Sequence, residues 1–214
     1  MKSQDVVLLL KLVSLQEQES HFQANQREKN WPHDWGDWND WEEENIPELD
    51  DYRNQEQIEA RYTSRALAQE TGISKSQVHL SIKRCYEVGL AKQDRRMNVP
   101  RVNRKALDEF ISYGLKYVFP VKPGTLTRGI ATAFAAPVFS KKLMSAGELP
   151  LIWPDPRGKT KGLAIEPLYK SVTFTVRRDP EIYALLALVD AIRVGQPREA
   201  NLAKKMLKEK LGIQ

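Results

Sequence analysis

One run, Leu67-Ala68-Gln69-Glu70-Thr71-Gly72-Ile73-Ser74-Lys75-Ser76-Gln77-Val78, constrains this chain more tightly than any other. A small residue at Ala68, a turn glycine at Gly72 and a β-branched apolar residue at Val78 have the spacing of two helices joined by a tight turn. Each choice has a steric reason. Ala68 sits where the two helices cross closely, Gly72 can take the left-handed conformation that ends the first, and Val78 plugs the second into the core. Ser74 reads as the N-cap of the second helix. Along that helix Val78, Ile82 and Cys85 fall on one stripe and face inward.

After this helix, Gly89-Leu90-Ala91 and a basic, Pro-containing run to Arg104 predict a two-stranded wing. The stretch from Leu67-Ala68 through Ile82-Lys83-Arg84-Cys85-Tyr86-Glu87-Val88-Gly89-Leu90 resembles the DNA-binding core of MarR-like winged-helix regulators. The likeness covers about forty of the 214 residues. Cys85 stands where that family usually carries a larger apolar residue, and a long insertion precedes the first helix. The resemblance implies a winged helix-turn-helix whose second helix meets base edges in a major groove. The outward set on that helix is Lys75, Ser76, Gln77, Leu80, Lys83 and Arg84, with Ser74 at its start. Gln77 suits an adenine and Leu80 a thymine methyl. His79 reads as structural or phosphate-contacting. In the wing, Lys92, Arg95, Arg96, Arg101 and Arg104 suit the phosphate backbone, which positions a protein without specifying sequence.

Upstream, Val6 to Leu15 is strongly apolar but interrupted by Lys11. It is too short to span a bilayer and lacks a small-residue cleavage site, so no membrane role is expected. Val6, Leu9, Leu10 and Val13 share one helical face, which Val7, Leu8, Leu12 and Leu15 widen. A helix this apolar needs neighbours on two sides. One is expected to be the motif and the other a dimer partner. Residues 17–61 read as a polar insertion. From Trp31 to Asp51 it carries nine carboxylates and no Lys or Arg, so a net +5 for the whole chain becomes +14 on the remainder once those nine charges are set aside. Trp31, Trp35, Trp38 and Trp41 lie in the same stretch, where Pro32 and Gly36 oppose a stable helix. It reads either as an acidic loop whose indoles cover the protein's own core, or as a segment that docks on a partner or competes with DNA for the basic face.

Residues 1–119 thus form a predicted DNA-binding domain, and residues 120–214 a second region for dimerisation or partner binding. Lys105 to Phe119 predicts a helix with Leu107, Phe110, Ile111, Leu115 and Val118 on its apolar side. Prolines and glycines break any period from Pro120 to Val172, which reads as an irregular arm or a module of short elements. Asp179-Pro180-Glu181 starts a helix, Gly195-Gln196-Pro197 ends it, and a second helix follows from Arg198 to Leu211. The fold class is mainly α with a small β wing, closed by a C-terminal α-hairpin.

His21, His33 and His79 are scattered and Cys85 is the sole cysteine, so no catalytic residues, metal ligands or cofactors are expected. A single cysteine fits a reducing cytoplasm. The leading reading is a bacterial-type, sequence-specific regulator of transcription, a repressor that binds double-stranded DNA as a homodimer. The alternative is an antitoxin or defence-system component that holds a partner protein and autoregulates through its winged helix.

Overall fold

The computed structural model of the protein describes residues 1–23, 55–140 and 149–213. Helix α1 (Ser3–Gln23) leads to α2 (Gln55–Arg61), α3 (Ser64–Thr71) and α4 (Lys75–Glu87). A hairpin of β1 (Ala91–Gln93) and β2 (Pro100–Val102) follows, antiparallel with Lys92 opposite Arg101. Next come α5 (Arg104–Glu109), a π-helical turn over Phe110–Gly114, and α6 (Leu115–Val118). Strand β3 (Leu126–Ala131), two short 3-10 turns, β4 (Leu151–Pro154) and β5 (Thr160–Ala164) lead to α7 (Val172–Val176), α8 (Pro180–Val194) and α9 (Pro197–Lys210). Among the described residues the fold is mainly helical with small sheets.

The core is organised by α1 and α8. Every residue of α1 from Gln4 to Leu15 is buried, and so is every residue of α8 from Leu185 to Ile192. Each fully buried Leu or Val contributes roughly 1.5–3 kcal/mol. Helix α1 touches α3, α4 and β2 on one side and α8 on the other. The side that the sequence reading left for a dimer partner is therefore covered by α8 of the same chain. Helix α1 also runs further than expected, into the predicted insertion, because Glu19 finds a cationic partner in Arg101 of the hairpin and Glu17 one in Arg104 at the start of α5.

Lys11 does not merely interrupt the apolar run. Its ammonium lies fully inside, 2.8 Å from Asp179 at the start of α8 and paired also with Glu70 of α3. Ser14 donates to the same Asp179 carboxylate at 2.5 Å, while Asp179 caps α8 by accepting from the Glu181 and Ile182 amides. Burial opposes the charge on Lys11, but Asp179 and Glu70 outweigh it and hold its pKa above the usual lysine value. Burial likewise opposes the charge on Asp179, yet Lys11, Ser14 and the α8 amides hold its carboxyl below the usual range. The remaining polar group inside α8, Asp190, accepts from Trp153 Nε1 at 2.6 Å, Thr132 Oγ1 at 3.2 Å and Arg193 at 2.6 Å. It ties α8 to the strands beyond it.

One expectation needs correction. The run from Lys105 to Phe119 is not one regular helix. A π-helical turn inserts an extra residue and shifts the helical phase by about 100°. Leu107, Ile111 and Leu115 stay buried while Val118, in the last turn, is 52% exposed. Of the two readings of the Pro- and Gly-rich region, the described residues form the module of short elements, a small sheet. Strand β3 pairs antiparallel with both β4 and β5, and β4 pairs parallel with β5, so the three strands close on themselves. Gly129 makes this closure possible, since a Cβ there would overlap the Trp153 carbonyl oxygen.

Candidate nucleic-acid interface

Helix α3 begins at the N-cap Thr63, whose hydroxyl accepts from the Ala66 amide at 3.3 Å. It ends at Gly72, which takes φ 64° and donates its amide to Ala68 at 2.9 Å. The turn at Gly72 is the one expected from the sequence. Ser74 holds the N-cap position of α4, but its side chain makes no capping hydrogen bond. Only its carbonyl joins the helix, accepting from the Val78 amide at 2.9 Å.

Val78, Ser81 and Cys85 form the buried stripe of α4, with Ile82 half-buried beside them. Burial pushes the Cys85 thiol up to about 12, so it stays protonated near neutral pH and packs as a small apolar group. On the other side, Lys75, Ser76, His79 and Lys83 are exposed, and Leu80 is 44% exposed. Ser74 joins them at the helix start.

Gln77 and Arg84 stand apart from that set because both reach toward α1. Gln4 Nε2 donates to Gln77 Oε1 at 3.0 Å and to Ser81 Oγ at 3.1 Å. Arg84 grips the Asp5 carboxylate with two hydrogen bonds, from Nε at 3.0 Å and from a terminal nitrogen at 2.6 Å, and also donates to Ser81. Burial works against a charged Asp5, but Arg84, the Lys2 amide and Ser81 prevail and hold the carboxyl below the usual range. A bidentate guanidinium–carboxylate pair with one partner fully buried fixes the pitch of α4 against α1.

The hairpin divides its cations in the same way. At its tip the Asp94 carboxylate accepts from the Arg96 and Met97 amides at 2.7 and 3.1 Å, and Asn98 takes φ 55°. These two amides, with Arg101 adding to them, hold the Asp94 carboxyl below its usual range. The turn leaves Arg95 and Arg96 exposed, with Lys92 exposed on β1. At the base, Arg101 donates to Glu19 at 2.7 Å and to the Tyr62 hydroxyl at 3.2 Å, and its guanidinium lies 5.3 Å from the Tyr62 ring centroid. Arg104 bonds Glu17 and the Leu211 carbonyl, the latter at 3.1 Å. Arg101 therefore anchors the hairpin to α1, and Arg104 anchors the start of α5 to α1 and to the end of α9.

Sequence reasoning missed the support beneath the turn. The C-terminal end of α3 is capped from α7: Ser171 Oγ and Thr175 Oγ1 donate to the Thr71 carbonyl at 2.6 and 3.0 Å, and Arg178 donates to the Gln69 carbonyl at 3.2 Å. No local pattern announces this contact, because its members lie about a hundred residues apart. Trp31, Trp35, Trp38 and Trp41, expected to bind a partner, lie outside the described residues. Among the described residues no cluster of His, Cys, Asp or Glu can hold a metal ion, and no helix is long and apolar enough to cross a membrane.

The described surface thus offers a helix face of mixed cationic, hydroxyl and apolar groups beside a basic hairpin tip, both held rigidly from behind. Comparisons of the chain with protein families, with curated proteins and with solved structures find no match.

Proposed function

We propose that the chain is a sequence-specific DNA-binding regulator of transcription, a cytoplasmic repressor that acts as a homodimer through a MarR-like winged helix-turn-helix. The observation that carries this reading is the outer face of α4, where Lys75, Ser76, His79, Leu80 and Lys83 are exposed together, with Arg95 and Arg96 exposed at the tip of the hairpin that packs against α4 and without an ion-pair partner among the described residues. Such a mix addresses base edges and phosphates at once. In this reading Leu80 meets a thymine methyl. Gln77 offers only its amide nitrogen to a base, since its oxygen is engaged by Gln4. No catalytic group, metal or cofactor enters it.

Two copies would place their α4 helices in successive major grooves, roughly 34 Å apart, on a pseudo-palindrome. Exposed Tyr113, Tyr117 and Val118 on the α5–α6 run give a second copy an apolar surface to cover. The direct test is binding to the DNA upstream of the protein's own coding sequence and to a scrambled duplex, each across a salt series. A large affinity gap at physiological salt supports a specific regulator. Equal, steeply salt-dependent curves sink it. Sedimentation of the purified protein tests the dimer, and a co-purifying chain of different sequence would favour the antitoxin or defence-component reading.

A further inference from the structure

The second basic region of the molecule lies outside the motif. Between residues 120 and 178 the sequence carries ten Lys and Arg against three acids. On the small closed sheet, Arg128 of β3 stands directly opposite Lys161 of β5 in antiparallel register, and both side chains are exposed. Side chains so paired project from the same face with Cβ atoms about 4.5–5.5 Å apart, and like charges there repel. The nearby carboxylate, Asp155, offers no relief. It is buried, accepts from the Arg157 amide at 2.8 Å and is paired with Arg177 at 2.9 Å. A like-charged pair kept in register, with the Asp155 carboxylate already engaged, is a site that gains from an added anion.

Hydrogen bonds link this sheet to the motif. The Asp155 amide donates to the Arg128 carbonyl at 3.2 Å, Arg177 of the α7 segment holds the Asp155 carboxylate, and Ser171 and Arg178 of the same segment hold the end of α3. Arg128 is therefore coupled to the turn before α4 through one short helix.

We infer that the Arg128–Lys161 face is a second phosphate-contacting surface, which grips the backbone of the same DNA beyond the stretch read by α4. The inference rests on the DNA-binding reading of α4. Its contribution is affinity and salt dependence without sequence preference, as backbone contacts give.

The test uses the full chain and a mixed-sequence duplex of about 30 base pairs, roughly three helical turns. Wild type, the sheet variant Arg128→Ala/Lys161→Ala and the motif variant Lys75→Ala/Lys83→Ala are compared by the slope of log K against log salt. The sheet variant should lower the slope by about 1.8, near 0.9 for each lost phosphate contact. An unchanged slope and affinity in the sheet variant, with a reduced slope in the motif variant, overturns the second surface and leaves the α4 reading intact. A reduced slope in the sheet variant alone keeps the sheet as a phosphate contact but overturns the α4 reading, and with it the placement of the sheet beyond a stretch read by α4. Absence of duplex binding by the wild type overturns both. All substituted positions are exposed, and unchanged thermal unfolding verifies that the variants keep the fold.

Discussion

The cations of the described N-terminal region divide into two groups that share a charge and differ in everything else. Arg84, Arg101 and Arg104, with Lys11 deeper inside, all meet carboxylates of α1 or of its neighbours. Lys75, Lys83, Arg95 and Arg96 have no ion-pair partner among the described residues and face solvent. The dividing agent is α1, whose acids at positions 5, 17 and 19 take the cations that lie within reach. The first group holds the scaffold and the second is left for a ligand. Net charge alone, therefore, overstates the surface available to a polyanion.

The sharpest way to break this division is to remove its deepest member. Lys11→Met leaves Asp179 and Glu70 facing a buried gap without a counter-charge and should cost about 3–5 kcal/mol in urea unfolding. A cost below about 1 kcal/mol would mean that water reaches the site and that Lys11 belongs with the exposed group.

Next in size is Asp5→Asn, which strips Arg84 of its partner while keeping the side-chain volume. A loss of about 1–3 kcal/mol is expected. Acid unfolding reads the same pair. Asp5 and Asp179 have folded-state pKa values below the unfolded value, near 3.9 for a carboxyl. Their stabilisation is fully present above that value and is lost as pH falls through the lower folded values. Asp5→Asn should flatten this acid limb. An unaltered limb would show that the Arg84 contact contributes nothing to it.

Arg101→Ala is expected to cost less, about 1–2 kcal/mol, since neither Arg101 nor Glu19 is fully buried, whereas Asp5 is. The smallest effect on stability belongs to Arg95→Ala/Arg96→Ala, within about 0.5 kcal/mol for exposed positions. That same variant should weaken binding to every duplex alike and lower the salt slope by about 1.8. A loss confined to one sequence would contradict a backbone role and move the tip arginines into a groove.

Much of the motif was legible because its rules are local. Gly72 announces its left-handed turn, Asp179 sits where a cap must sit, and the apolar spacing of α4 places Val78 and Cys85 on its buried side. What escaped is non-local. Arg84 and Gln77 fall on the outward arc of an isolated helix, and only Asp5 and Gln4, more than seventy residues away, turn them inward. The closed sheet escaped for a related reason. Glycines and prolines mark where regular structure stops, not which strands pair, and Gly129 reads as a breaker until the Trp153 backbone is seen against it. The demand of α1 for a second neighbour was read correctly, but its supplier is α8 of the same chain. The candidate interface was legible to the extent that exposure follows helical period, as at Lys75, Leu80 and Lys83.

The enclosure of α1 from Gln4 to Leu15 also governs the order of events during folding. Its Lys11 and the Asp179 that neutralises it are 168 residues apart. The helix is synthesised early, yet it cannot be covered until α8 has left the ribosome. Until then a strongly apolar helix with a lysine in its middle must be screened by transient contacts or by a chaperone. Closure over so long a separation is intrinsically slow. Loss of α8 should thus expose the first helix as well, and chains arrested before residue 180 should be recognised as unfolded from both ends.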